Sequence, residues 1–168
     1  MELGYVGLGA MGGALARRLM LSHKLRVLDL KPEAVAEFSE NGAIPAQDGA
    51  SLARECDIVM LCLPRSSDVR AAIFGEGGLL EGLTPGKIVV DQTSGDPDQT
   101  RAMAAELAEQ GITLIDAPVS GGPAGADAGT IAIMAGGSME AFEKVKPYFE
   151  SISPNVIHCG EIANGHVV

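Results

Sequence analysis

The sequence predicts an α/β fold: a doubly wound, mostly parallel sheet with helices on both faces. Three observations predict it. Apolar runs alternate with stretches of helical periodicity along all 168 residues, the β-α-β rhythm of parallel sheets. Ile58 to Leu63 is an unbroken apolar run closed by Pro64, as expected of a strand covered on both faces. Gly7, Gly9 and Gly12 stand between an apolar run and a helical repeat, where a tight turn favours residues without side chains.

The elements follow in order. Leu3 to Val6 reads as a short strand, and Ala10 to Leu21 as a helix with Leu15 and Leu19 at helical spacing. Leu25 to Asp29 is the next strand, and a helix starts at Pro32, a residue suited to a first turn. A short strand over Gly42 to Pro45 and a short helix over Gly49 to Glu55 come before the strand Ile58 to Leu63. Lys87 to Asp91 is another strand. Asp96 can then cap a helix with Pro97 at its first position, Asp98 in its first turn and Gln99 closing a capping box. That helix ends near Gly111. Strands at Thr113 to Asp116 and Ile131 to Ala135, a helix from Ser138 to about Glu150, and a strand at Asn155 to His158 complete the series.

Composition narrows the function classes. The length suits one domain with a full core, and the 22 glycines accompany 46% apolar residues, so they mark turns, not disorder. A net charge of −10 with no basic cluster argues against a nucleic-acid partner. Apolar runs of about six residues are far short of the roughly 20 of a membrane span, and the start lacks a basic n-region. Cys56, Cys62 and Cys159 show no paired spacing, which suits a reduced, cytoplasmic protein, with Cys62 a buried structural thiol. No metal site is expected. His158 and His166 have only the adjacent Cys159 as company, so structural or hinge roles are expected of them. His23 is expected to cap a helix end.

Gly7-Leu8-Gly9-Ala10-Met11-Gly12 follows a strand and opens a helix, the context that turns a weak pattern into a dinucleotide fingerprint. The first glycine permits the turn, the second admits the pyrophosphate, and the third packs the helix against the strand. Free N–H groups near Ala10 and Met11 face the phosphates, aided by the helix dipole. Asp29, at the end of the second strand, can accept hydrogen bonds from ribose hydroxyls and repels a 2′-phosphate. This favours NAD over NADP, with Lys31 a partial offset.

Five segments together resemble the β-hydroxyacid dehydrogenase family, which includes 3-hydroxyisobutyrate dehydrogenase and tartronate semialdehyde reductase. They are the glycine turn, Leu61-Cys62-Leu63-Pro64, Asp91-Gln92-Thr93-Ser94-Gly95-Asp96-Pro97, Asp116-Ala117-Pro118-Val119-Ser120-Gly121-Gly122-Pro123, and Gly125 to Gly137. The resemblance implies a Rossmann domain over residues 1–160 that binds NAD. It places Leu63 and Pro64 along the cofactor crevice and Ser94, a threonine in most of the family, on the nicotinamide side. Ser120, Gly121 and Gly122 would hold the carboxylate of a small 3-hydroxy acid substrate. Independently, a serine followed by two glycines at a strand end offers clustered donors to a small anion, although the glycines could serve only chain reversal.

The resemblance also implies a lysine that exchanges the hydroxyl proton, aligned immediately after Val168, so no catalytic residue is expected in these 168 residues. Residues 161–168 would begin an interdomain helix leading to a helical second domain and a homo-oligomeric parent. The chain is then expected to be a fragment that binds cofactor without turnover. Two alternatives remain open: a non-catalytic dinucleotide-binding or interaction module, and a 6-phosphogluconate-dehydrogenase-like enzyme, whose substrate phosphate would need cationic groups not clustered here.

Overall fold

The computed structural model describes residues 1–167. Its first half alternates β1 (Leu3–Val6), α1 (Ala10–Met20), β2 (Arg26–Leu28), α2 (Pro32–Glu40), β3 (Ile44–Pro45), α3 (Gly49–Glu55) and β4 (Ile58–Leu61). Next come α4 (Ser66–Phe74), β5 (Ile88–Asp91), α5 (Pro97–Ala108) and β6 (Thr113–Asp116). These strands form a six-stranded sheet in the order β3-β2-β1-β4-β5-β6, parallel throughout. The order reverses between β1 and β4, the switch point at which such sheets open a crevice for ligands.

Period-two alternation along the strands feeds two separate cores. Leu3, Tyr5, Ile58, Met60, Ile88, Val90 and Ile115 face one side, against Leu15 and Leu19 of α1 and Phe38 of α2. Val6, Val59, Leu61, Val89 and Leu114 face the other, against Leu52 of α3, Val69 and Ile73 of α4, and Met103 and Leu107 of α5. Both faces of the central strands are therefore dry, which is why β4 reads as a continuous apolar run.

The remaining strands do not extend the main sheet. β7 (Val119–Ser120), β8 (Ala132–Ala135) and β9 (Asn155–His158) form a second sheet, with β7 antiparallel and β9 parallel to β8. A bridge between Asp116 and Gly136 joins it to β6. Between these strands lie α6 (Gly122–Ala128) and α7 (Met139–Ile152), and α8 (Asn164–Val167) closes the described chain.

Several expectations shift at their edges. The second strand stops at Leu28 and the fourth at Leu61, leaving Asp29, Leu63 and Pro64 in the loops that leave the sheet. α4, β7 and α6 were not foreseen. The capping box of α5 does not close. Asp96 accepts from Asp98 N–H at 2.9 Å, but its own N–H donates to Ser66 Oγ of α4 instead of to Gln99. His23 does not cap with its ring; its backbone N–H returns to Leu19, while Nε2 meets Ser151 Oγ at 2.8 Å on α7. Cys62 is half-buried, not fully buried, yet burial still pushes its thiol up to about 12, so it stays protonated at neutral pH.

Among the described residues no helix is long and apolar enough to cross a membrane. Ala163 is the described non-glycine residue with a positive φ, 75°. A left-handed conformation costs an L-residue about 1–2 kcal/mol, against roughly 0.4–1 kcal/mol for glycine's extra unfolded-state freedom. Ala163→Gly also removes a fully buried methyl group, worth about 0.8 kcal/mol, so the terms nearly cancel and a thermal unfolding midpoint should move by less than about 2 °C.

Candidate functional site

The glycine turn sits at the switch point, and each glycine answers to a different neighbour. Gly7 has φ +96°, and a Cβ there would lie 2.2 Å from the Cys62 carbonyl and 2.9 Å from Leu63 Cδ2. A Cβ on Gly12 would lie 2.1 Å from the Gly7 carbonyl. A Cβ on Gly9 would meet nothing within 4 Å. Gly7 and Gly12 are thus required by the fold itself, while Gly9 faces open space at the crevice. Gly9 is the N-cap of α1 and offers no side-chain cap, so the N–H groups of Ala10, Met11 and Gly12 have no intrahelical acceptors. This is the donor set that an anion at a helix start requires.

Asp29 has an additional role. Its Oδ2 accepts the Leu8 N–H at 2.6 Å and its Oδ1 accepts the Lys31 N–H at 2.8 Å. The carboxylate therefore pins the glycine turn to the end of β2. Each oxygen keeps a second lone pair for a ribose hydroxyl. The exit of β4 forms the opposite lip: Cys62 N–H donates to Val6 O at 3.0 Å, and Leu63 N–H donates to Thr93 Oγ1 at 3.0 Å.

On the far side of β5, Ser94, Gly95, Pro118, Ser120, Met134 and His166 line one cleft of about 410 Å³. The two predicted hydroxyls, Ser94 of the loop after β5 and Ser120 of β7, are thus brought to one cavity. Gly121 and Gly122 follow at φ +136° and +69°, and no atom lies within 4 Å of where a Gly122 Cβ would stand. The chain reversal demands glycine at both positions, and it also leaves Gly122 open.

Beneath these loops lies a buried polar layer that includes Ser66, Asp91, Gln92, Thr93, Thr100 and Asp116. Tyr5 OH donates to Gln92 Oε1 at 2.7 Å, tying β1 to β5 across β4, and burial holds the Tyr5 hydroxyl well above the usual phenol range. Thr93 N–H donates to Asp91 Oδ1 at 2.9 Å, while Asp91 Oδ2 and Gln92 Nε2 have no partner among the described residues. Asp116 accepts the N–H groups of Ala163 and His166 at 2.7 and 2.9 Å. His158 Nε2 meets the Gly137 carbonyl at 2.8 Å and its ring stacks on Phe142, a structural role. Sequence reasoning quoted Asp91, Thr93 and Asp116 only as motif letters and did not assign roles to Tyr5, Gln92 or Thr100. Tyr5 inside the apolar run of β1 and the polar Gln92 and Thr93 directly after that of β5 were the available signal.

Burial raises the Asp91 carboxyl above its ordinary value, partly opposed by its bonds to Thr93. A folded-state value above the unfolded one means that Asp91 costs stability at neutral pH, and that the cost fades as pH falls through the raised value. Wild type should therefore gain stability relative to Asp91→Asn on acidification, read from paired thermal melts across pH. A constant difference would contradict this.

Fold and site define a class: a domain that grips a dinucleotide on a glycine turn at the switch point of a doubly wound parallel sheet. More particularly, the chain belongs to the family described as the NAD binding domain of 6-phosphogluconate dehydrogenase, whose pattern matches residues 2–160. It is 37% identical over 166 residues to the probable mitochondrial 3-hydroxyisobutyrate dehydrogenase of Dictyostelium discoideum, covering 98% of this chain and 52% of the relative. Among solved structures, the Mycobacterium tuberculosis 3-hydroxyisobutyrate dehydrogenase with L-serine superposes with TM-score 0.91 at 28% identity, over 99% of this chain and 57% of that one. A complex described as Psf3 with NADP+ and 2-OPP superposes with TM-score 0.93 at 31% identity, over 98% and 59%. The chain spans about half the length of the curated relatives it matches.

Proposed function

We propose that this domain holds NAD across the β1–β4 crevice and a small 3-hydroxy acid in the adjoining cleft, as the cofactor half of a hydroxyacid dehydrogenase. The observation that carries the reading is the shared cleft of Ser94 and Ser120 at the sheet edge where the glycine turn lies. When bound, the nicotinamide ring supplies hydride transfer. The chain's own residues grip and orient. Leu8 to Gly12 receive the pyrophosphate, Asp29 the adenosine ribose, and Leu63 and Pro64 wall the crevice. Ser94 faces the nicotinamide side, and Ser120, Gly121 and Gly122 receive the substrate carboxylate. Fixing that carboxylate places the hydroxyl-bearing carbon over the ring, an orientation worth much of the rate.

Proton exchange at the hydroxyl is assigned to the lysine expected after Val168, a position outside the described residues. Lys87 lies at the opposite edge of the sheet, donating to the carbonyls of Ala53 and Arg54, and Lys144 pairs with Glu140 on α7. Residues 1–160 then act as the dinucleotide domain and 161–168 as the entry to an interdomain helix, in a parent that is homo-oligomeric and cytoplasmic. The three cysteines are free, which accords with a reduced setting. NAD is preferred over NADP because of Asp29, although a related structure holds NADP+. Among the described residues that line the cleft there is no lysine or arginine, so a phosphorylated sugar acid, the alternative reading, would need its cationic partners from outside this domain.

The test is a titration of the NAD-loaded, ¹⁵N-labelled chain with 3-hydroxyisobutyrate and with its methyl ester, followed by NADH absorbance. Shifts at Ser120 to Gly122 with the acid and not the ester, without NADH formation, are expected. Turnover by the 168-residue chain, or shifts confined to other surfaces, would overturn the reading.

A further inference from the structure

His166 was expected to be structural, yet its ring joins the loop that follows β5 to helix α5 at the candidate site. Its Nε2 lies 2.8 Å from the Thr93 carbonyl and its Nδ1 lies 2.8 Å from Thr100 Oγ1 of α5. A carbonyl can only accept, so Nε2 carries the proton. In the neutral ring Nδ1 then accepts, and the Thr100 hydroxyl is its donor. The Thr93 carbonyl thus sets the tautomer, and the Thr100 hydroxyl of α5 satisfies the other ring nitrogen.

The network continues in both directions. The His166 N–H is held by Asp116 Oδ2 at 2.9 Å, and the Ala163 N–H by Asp116 Oδ1 at 2.7 Å. This keeps the strained Ala163 turn in place, and backbone strain of that kind gathers where function over-determines geometry. At the other end, Thr93 Oγ1 accepts the Leu63 N–H. The ring also underlies Gly95, where a Cβ would stand 2.8 Å from His166 Cε1, so the loop that presents Ser94 rests on the imidazole. Glycine at 165 is needed for the same approach: a Cβ there would lie 2.3 Å from the Met134 carbonyl.

We propose that His166 is a positioning residue for the nicotinamide end of the cofactor, its Nε2–H tautomer fixed by the Thr93 carbonyl, its ring anchored by Thr100, and its effect carried through Thr93 to Ser94 and Leu63. The proposal rests on the reading above that these two residues face the cofactor. None of the bonds involves the glycine turn or Asp29, so the adenosine half of the site is independent of it.

The test compares NADH with ADP-ribose, which lacks the nicotinamide, on the 168-residue chain. Thr100→Val and His166→Ala are expected to weaken NADH at least fivefold and to leave ADP-ribose within twofold. Thr100→Ser, which keeps the hydroxyl, should restore wild-type NADH affinity. Long-range ¹H–¹⁵N spectra of the ring should show the Nε2–H tautomer in wild type, Thr100→Ser and Thr100→Val alike, because the Thr93 carbonyl that selects it is unchanged. Equal losses for both ligands, no loss for either, or an Nδ1–H ring would overturn the proposal alone. A wild-type chain that binds ADP-ribose no better than it binds inorganic phosphate would remove the functional reading as well.

Discussion

Gly9→Ala is expected to fold like the parent chain and to lose NADH affinity by more than about 100-fold, roughly 3 kcal/mol. Gly9 has φ −70° and ψ −163°, a conformation open to any L-residue, and its added Cβ meets no protein atom within 4 Å. The methyl group therefore displaces no protein atom, and it stands where the proposed pyrophosphate approaches the backbone. Stability should stay within about 0.5 kcal/mol, as for a change that breaks no contact. Gly12→Ala makes the contrast. Its Cβ would stand 2.1 Å from the Gly7 carbonyl and 3.3 Å from that of Cys62, so helix and strand must separate. A loss of about 2–4 kcal/mol is expected, in line with overpacking of a dense site. Chemical denaturation separates the two variants. If Gly9→Ala bound NADH normally, the cofactor would not run along the turn.

Asp29→Ala should cost both stability and affinity, because the carboxylate serves fold and ligand together. It leaves the N–H groups of Leu8 and Lys31 without their acceptor. Leu8 is buried, so water reaches its amide poorly, and a lost bond to a charged acceptor is worth about 1.5–3 kcal/mol. NADH affinity should fall by about 10–100-fold, from the lost ribose contact and the loosened turn. Asp29→Asn separates the parts. It keeps an acceptor for one amide and removes the negative charge, so NADPH should gain on NADH by about tenfold or more, with Lys31 beside the new phosphate. Parallel fluorescence titrations with both cofactors read this directly. An unchanged ratio would show that Asp29 acts on the turn alone.

The elements that the sequence announced were those with local chemistry strong enough to stand alone. β4 is apolar throughout, α5 carries Asp96 and Pro97 at its start, and the glycine turn has its spacing. α6 was hidden because Gly122-Pro123-Ala124-Gly125-Ala126-Asp127-Ala128 has poor helical propensity and no apolar stripe. It is helical because α1 supports it, with Ala126 buried and Arg17 paired to Asp127 at 3.1 Å. α4 was hidden for a related reason: Arg65 gives its N-cap no side-chain bond, and only Val69 and Ile73 mark its buried apolar face. The site was legible as motif letters, and the cleft that collects Ser94 and Ser120 follows from them. Its wiring was not. The bond from Leu8 N–H to Asp29 and that from His166 to Thr93 use backbone atoms, which every residue possesses and no motif records. Their distance along the chain, 21 and 73 positions, places them beyond any local pattern.

The central claim, a crevice built for a nicotinamide dinucleotide with a free 2′-hydroxyl, is tested most directly by calorimetric titration of the 168-residue chain with NADH and NADPH side by side. Saturable 1:1 binding of NADH, tighter than that of NADPH, is the predicted result. Tighter binding of NADPH would contradict the role given to Asp29, and no binding of either would contradict the crevice itself.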